Sequence, residues 1–136
     1  MRQHFINKKY VVVFHDYAEK HYIGDFSKKY KAHWDATRQS IKDALERISN
    51  LSGMSCLDFI CKSNNNTYLV KYDFRVAKTN VSSKTSGNRC ILEVCNGKLE
   101  VSVLLVYCKD HVTRSNKQET IWWKEHLKGS FNLCCA

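Results

Sequence analysis

Two cationic side chains, Lys71 and Arg89, stand at positions that strand alternation assigns to one face of a predicted β-sheet. In the segment 67–77 the even positions are aromatic or aliphatic, whereas the odd positions include Asp73 and Arg75. Because successive side chains of a strand point to opposite faces, this pattern predicts one core face and one polar face. A polar face that combines arginine, lysine and carboxylates could bind phosphate groups. The alternative is that these are the solvated outward residues of a half-exposed sheet.

The elements that must position this face centre on a predicted hairpin. Two apolar runs, 89–95 and 98–108, flank the pair Asn96-Gly97. Asn-Gly favours a two-residue hairpin turn because both residues adopt positive φ at low cost. Such a turn pairs Val94 with Leu99 and places the charged residues of the hairpin on the polar face. The turn also sets the register, since a slip of one residue would exchange the two faces.

Helical patterns flank the strands on both sides. Apolar residues recur at helical spacing in 15–30 and more clearly in 34–51, where Asp35 is the candidate cap and Gly53 follows the end. The continuous apolar run in 9–14 predicts a strand near the middle of the sheet. A last helix, 119–128, contains Trp122 and Trp123; we expect one buried and one half-exposed ring, the alternative being that one ring stacks on a nucleic-acid base.

This order of elements predicts an α+β fold. We expect a mainly antiparallel sheet with two N-terminal helices packed on one face, a short C-terminal helix, and an open second face. At 136 residues the chain is predicted to be a single domain, 1–136, with a core of about 9–128 and a tail of 129–136.

The chain is strongly basic. Its formal charge of +9 favours an anionic partner, either a nucleic acid or an acidic protein, over a neutral metabolite. A generally soluble basic domain remains the alternative. No apolar run is long enough for a membrane-spanning helix.

The cysteines predict a reduced protein. There are seven, an odd number, and Cys90 and Cys108 fall within apolar strand patterns, where cysteine usually acts as a small buried hydrophobe. The N-terminus lacks the apolar core of a signal peptide, so we expect a cytoplasmic location. No Cys-x-x-Cys pair or Cys/His ligand spacing is present, and we expect neither a metal nor a cofactor.

Three segments resemble the RelE/ParE superfamily of bacterial toxins. They are the strand Tyr68-Leu-Val-Lys71-Tyr-Asp-Phe-Arg75, the strand entry Ser86-Gly87-Asn88-Arg89, and the closing strand Leu-Leu-Val-Tyr-Cys-Lys109. The resemblance covers about residues 9–128 and is most specific in the order of the elements and in the Gly-x-Arg strand entry. RelE- and HigB-type members are mRNA endonucleases that act on the ribosome and belong to type II toxin–antitoxin systems.

The resemblance assigns candidate roles to individual residues. It implies that Arg89 contacts the scissile phosphate, that Lys71 takes part in catalysis, and that Lys109 is a further basic residue of the site. His111 is the candidate for proton transfer, because the chain has Asp110 where RelE has arginine and contains no tyrosine after Tyr107. The remaining candidate RNA-binding cations are Arg75, Lys84, Arg114 and Lys117.

The implied reaction needs no metal. The ribose 2′-hydroxyl attacks the adjacent phosphate, which leaves a 2′,3′-cyclic phosphate and a 5′-hydroxyl. This requires a base, cations for the developing negative charge, and an acid for the leaving oxygen. Arginine suits the second role because its planar guanidinium can hold two phosphate oxygens.

The resemblance also implies partners and leaves alternatives. The expected partners are a cognate antitoxin protein, mRNA and the ribosome, with the chain a monomer when free and part of a hetero-oligomer with the antitoxin. One alternative is a ParE-like toxin that inhibits DNA gyrase and has no nuclease site. Another is a non-catalytic basic module that binds RNA.

Overall fold

The computed structural model describes residues 9–18, 33–51, 53–64, 67–74, 88–108, 112 and 116–127. The elements in this part of the chain are β1 (Val11–Phe14), α1 (Asp16–Ala18), α2 (Trp34–Glu46), a 3₁₀ turn (Ile48–Leu51), β2 (Leu57–Asn64), β3 (Thr67–Phe74), β4 (Asn88–Cys95), β5 (Glu100–Cys108) and α3 (Glu119–Leu127). The strands form one sheet in the order β1-β5-β4-β3-β2. None of the helices within these ranges is long and apolar enough to cross a membrane.

The sheet is mixed, which corrects the expected mainly antiparallel arrangement around a central first strand. Strands β2 to β5 form an antiparallel meander, and β1 pairs in parallel with β5. As a result β1 lies at the edge, where Val11 and Val13 are 63% and 43% exposed. A run of β-branched residues indicates a strand but does not indicate how many neighbours that strand has, which is why the central placement was wrong.

The predicted pair of N-terminal helices is also wrong. Within the described residues a single long helix, α2, lies between β1 and the meander. Of the helix predicted over 15–30, the described part contains only the three-residue α1, and 19–32 lies outside the described residues. The second predicted helix is confirmed as α2, which ends at Glu46 and is followed by the 3₁₀ turn. Its N-terminal cap is His33 and not the predicted Asp35.

Both faces of the sheet are covered. On one face, apolar residues of α2 and the 3₁₀ turn, including Ile41, Leu45 and Ile48, belong to the larger of two cores. On the other face, Trp122, Trp123 and Leu127 of α3 pack with buried residues of β3, β4 and β5. The expectation of an open second face was therefore wrong. Both tryptophans are buried, at 5% and 2% exposure, because α3 uses both rings to cover the sheet.

The hairpin between β4 and β5 is present, but its turn is longer than predicted. Val94 pairs with Val101, and the turn comprises the four residues 96–99, with Leu99 at φ 53°. The Asn96 side chain accepts a hydrogen bond from Tyr10 Oη at 2.6 Å, a distant contact that local turn chemistry does not include. The register is thus shifted by two residues, and an even shift preserves the predicted faces.

A β-bulge interrupts the same strand pair. Ile91 pairs with Leu105, whereas Leu92 pairs with Val103, so Leu104 is an additional residue in β5. A bulge reverses the alternation of side chains beyond it. Tyr107 consequently lies on the same face as Arg89, its partner in the ladder.

Candidate anion-binding site

Strand pairing gathers polar residues at one end of the sheet face that α3 covers. The ladder pairs Asp73 with Arg89 and Arg89 with Tyr107, and it pairs Asp58 with Lys71. Directly paired residues share a face. Together with Glu119, the first residue of α3, they form what we call the ion cluster: Asp58, Lys71, Asp73, Arg89, Tyr107 and Glu119.

The centre of the ion cluster is a single carboxylate oxygen, Glu119 Oε2. The Tyr107 hydroxyl donates a hydrogen bond to it at 2.6 Å. Arg89 Nε lies 2.9 Å from the same oxygen, and Lys71 Nζ lies 3.7 Å from it. Two cations and one hydroxyl donor, from three neighbouring strands, thus converge on one anionic oxygen.

Two further carboxylates flank the cations. Asp58 Oδ2 lies 3.7 Å from Lys71 Nζ, and Asp73 Oδ1 lies 3.5 Å from Arg89 Nε. The backbone of Asp73 is held by a 2.8 Å hydrogen bond from its N–H to the carbonyl of Cys56. Three carboxylates therefore surround two cations. The cluster has no excess of positive charge, in contrast to the chain as a whole.

Burial affects the protonation of two members of the cluster, Asp73 and Tyr107. The Asp73 side chain is 7% exposed, and this desolvation raises its carboxyl pKa, although Arg89 and Lys71 act in the opposite direction. Burial also raises the pKa of Tyr107, and its hydrogen bond to Glu119 adds to the increase. Tyr107 is therefore a neutral hydrogen-bond donor at physiological pH.

Arg89 has donor capacity that the cluster does not use. Its side chain is 13% exposed, and Nη1 is buried without a hydrogen-bond partner among the described residues. The 2.9 Å contact from Nε to Glu119 lacks the alignment of a hydrogen bond. Buried donors without acceptors are uncommon in native proteins and often mark a functional position or an absent ligand.

The predicted site residues are only partly within the described chain. Lys71 and Arg89 are brought to the same carboxylate oxygen. Lys117 lies apart from these contacts, with Nζ at 2.8 Å and 2.9 Å from the two carboxylate oxygens of Glu125. It borders a shallow cleft of about 260 Å³ together with Trp122, Glu125 and His126. Outside the described residues lie Arg75, Lys84, Lys109, His111 and Arg114.

Three members of the cluster were not predicted from the sequence: Asp58, Tyr107 and Glu119. Strict alternation from Val101 and Val103 places Tyr107 on the opposite face, and only the bulge corrects this. The unbroken apolar run 103–106 interrupts the alternation and was the available signal. Glu119 begins a helix that was predicted, but where that helix docks depends on tertiary packing.

The described residues contain no group of three or more His, Cys, Asp or Glu side chains arranged to hold a metal ion.

The cysteines differ from the predicted reduced protein in one respect. Cys56, Cys90, Cys95 and Cys108 are free thiols, whereas Cys61 is disulfide-bonded. Cys90 and Cys108 are buried, as expected for cysteines in apolar strands.

Comparisons with known proteins returned nothing similar. No family model, no curated protein and no solved structure matches the chain.

Proposed function

We propose that this protein is the toxin of a type II toxin–antitoxin system and acts as a metal-independent endoribonuclease that cleaves mRNA on the ribosome by attack of the ribose 2′-hydroxyl. The observation that carries the proposal is the convergence of Lys71, Arg89 and Tyr107 on one anionic oxygen. A phosphate oxygen in the place of Glu119 Oε2 would receive the same three groups. The resemblance to RelE-type toxins independently selects two of the three, Lys71 and Arg89.

The chemistry assigns a role to each of these groups. Arg89 stabilises the negative charge that develops on the phosphate as the 2′-hydroxyl attacks, and Lys71 adds a second positive charge. Tyr107 stays protonated because its pKa is raised, so it can donate a hydrogen bond to a phosphate oxygen or to the leaving 5′-oxygen. The same raised pKa makes its hydroxyl a poor proton donor. In this proposal Lys109 and His111 are therefore the candidates for the proton transfers.

The charge of the chain supports the proposed partners. A formal charge of +9 favours association with RNA and with the phosphate-rich surface of the ribosome. The same charge suits an acidic segment of a cognate antitoxin. We propose a cytoplasmic location, where mRNA, ribosome and antitoxin are all accessible, with the free toxin a monomer.

The test is induced expression of the wild-type chain beside Arg89→Ala, with growth and primer extension on a reporter mRNA followed in parallel. We expect the wild type to arrest growth and cut the message, and Arg89→Ala to lose both effects. Arg47→Ala is the matched control, because Arg47 follows α2 on the other side of the sheet. Full cleavage by Arg89→Ala would exclude this site.

One observation favours a second candidate, a non-catalytic basic module that binds RNA. Arg89 is 13% exposed and lies between Asp73 and Glu119, an arrangement that a purely structural ion cluster would share. In that case Arg89 would stabilise the fold and take no part in cleavage, while the charge of +9 would still favour RNA binding. The wild type would then bind RNA without cutting it. Growth arrest with gyrase-dependent DNA damage and no cuts would instead support the ParE-like alternative.

A further inference from the structure

Glu119 occupies the centre of the proposed phosphate site. Its Oε2 atom contacts the Tyr107 hydroxyl and Arg89 Nε at 2.6 Å and 2.9 Å, and its side chain is 24% exposed. The chain's own carboxylate thus holds the position at which an anionic oxygen meets all three groups. A carboxylate and a phosphate compete for such a position because both present oxygen acceptors with negative charge.

The fit of Glu119 to these groups is incomplete. Glu119 Oε2 accepts a hydrogen bond from Tyr107 and lies close to Lys71 Nζ and Arg89 Nε, but both Nε and Nη1 of Arg89 are buried without a hydrogen-bond acceptor among the described residues. A phosphate group offers more than one non-bridging oxygen and can accept from two guanidinium nitrogens at once. A phosphate group in this position would therefore engage donor atoms of Arg89 that Glu119 leaves without a hydrogen bond.

The position of Glu119 in the fold makes this contact separable from the core. Glu119 is the first residue of α3, whereas the anchors of that helix, Trp122, Trp123 and Leu127, follow it. A change of side-chain rotamer, or fraying of the first helical turn, would withdraw the carboxylate while the anchors stay packed. Helix ends fray more readily than helix centres.

We propose that Glu119 is an intramolecular competitor that keeps the site closed until a phosphate group displaces it. This inference rests on the proposed function in taking RNA phosphate as the natural ligand. The free chain then has a resting state in which Lys71 and Arg89 are neutralised by its own carboxylate. RNA binding requires exchange of that carboxylate for the substrate phosphate.

The test measures binding of inorganic phosphate, without any RNA chemistry, by the full chain. Titrations are followed by tryptophan fluorescence, because the Trp122 ring lies 4.9 Å from that of Tyr107, and by NMR of the arginine Nε–H groups. We expect Glu119→Gln to tighten phosphate binding by about tenfold or more, since an interaction with an ionised competitor is lost. Glu125→Gln is the matched control: it removes the same charge from the same helix at an exposed pair with Lys117, and we expect less than about a twofold change.

A second variant keeps the charge. Glu119→Asp shortens the side chain by one methylene, so the carboxylate no longer reaches Tyr107 and Arg89, and phosphate binding should again tighten. If Glu119→Gln fails to fold in a thermal melt, Glu119→Asp supplies the test. Equal effects of Glu119→Gln and Glu125→Gln, or weaker phosphate binding by both Glu119 variants, would overturn the proposal.

The outcome is separable from that of the nuclease proposal. Tighter phosphate binding by the Glu119 variants with no RNA cleavage by any form would retain the competitor and reject the nuclease. RNA cleavage by the wild type, lost in Arg89→Ala, with unchanged phosphate affinity in the Glu119 variants would do the reverse.

Discussion

Arg89 and Tyr107 are direct partners across β4 and β5, and both contact the same oxygen of Glu119. The bulge at Leu104 creates this pairing, because it turns Tyr107 onto the face that carries Arg89. A bulge beside a functional constellation commonly redirects one side chain. The local irregularity of β5 is thus what supplies a neutral hydroxyl donor beside the two cations.

Removing that hydroxyl is expected to destabilise the protein. Tyr107→Phe leaves the ring in the core but removes the hydrogen bond to Glu119, and bonds to charged acceptors are worth about 1.5–3 kcal/mol. Urea denaturation should therefore show a loss in that range, and RNA cleavage should fall as well. Tyr72→Phe, on the opposite face, is the control and should cost less than about 0.5 kcal/mol. Equal losses in the two variants would contradict the assignment of the bond.

Asp73 should make the stability of the protein depend on pH. Burial raises its pKa in the folded state above the ordinary carboxyl value, so the folded state takes up a proton more readily than the unfolded state. The resulting stabilisation is fully present below the unfolded pKa and is lost as the pH rises through the raised folded pKa. Asp73→Asn removes this dependence.

The measurement for Asp73 is the free energy of unfolding of wild type and Asp73→Asn from about pH 3 to pH 7, a range that includes the ordinary carboxyl pKa. The variant should gain stability relative to the wild type as the pH rises from about 4. Asp58→Asn is the control, because the Asp58 side chain is 60% exposed. A relative loss of stability for Asp73→Asn with rising pH would show that the ion pair with Arg89 outweighs desolvation.

Side-chain parity accounts for what the sequence could predict here. It correctly placed Lys71 and Arg89 on one face, since a strand period of two is local and the hairpin register was wrong by an even number of residues. Tyr107 and Glu119 were missed because a bulge and a helix docking site are set by packing between distant segments. The edge position of β1 likewise depends on its parallel pairing with β5, which the residues of β1 alone do not specify.

The packing of α3 on the second sheet face can be tested at two positions of that helix. Leu127 is fully buried, and Leu127→Ala should cost about 2–5 kcal/mol because it removes apolar contacts and leaves a cavity. Ile121 is 49% exposed, and Ile121→Ala should change the free energy of unfolding by only about 0.5 kcal/mol or less. Similar, small effects at both positions would mean that α3 does not cover the sheet.

The hydrogen bond between Tyr10 and Asn96 should stabilise the four-residue turn 96–99, which is longer than the predicted two-residue turn. Tyr10 Oη donates to Asn96 Oδ1 at 2.6 Å in a buried setting, and the backbone N–H of Val11 donates to the carbonyl of Leu99 at 2.8 Å. These contacts join the start of β1 to the turn 96–99, so the turn depends on residues far away in the chain. We expect Tyr10→Phe to cost about 1–2 kcal/mol, because a buried acceptor loses its donor.

A double-mutant cycle with Asn96→Ala isolates that contribution from other effects of each substitution. The coupling energy between Tyr10→Phe and Asn96→Ala should be about 0.5–1.5 kcal/mol, the net value of a buried neutral hydrogen bond. Pairing Tyr10→Phe with Gln39→Ala provides the control, since Gln39 bonds Asp43 on the exposed side of α2. That pair should be additive within about 0.5 kcal/mol. Additivity of Tyr10→Phe and Asn96→Ala would instead show that the contact with Tyr10 does not stabilise the turn 96–99. The length of that turn would then need another explanation.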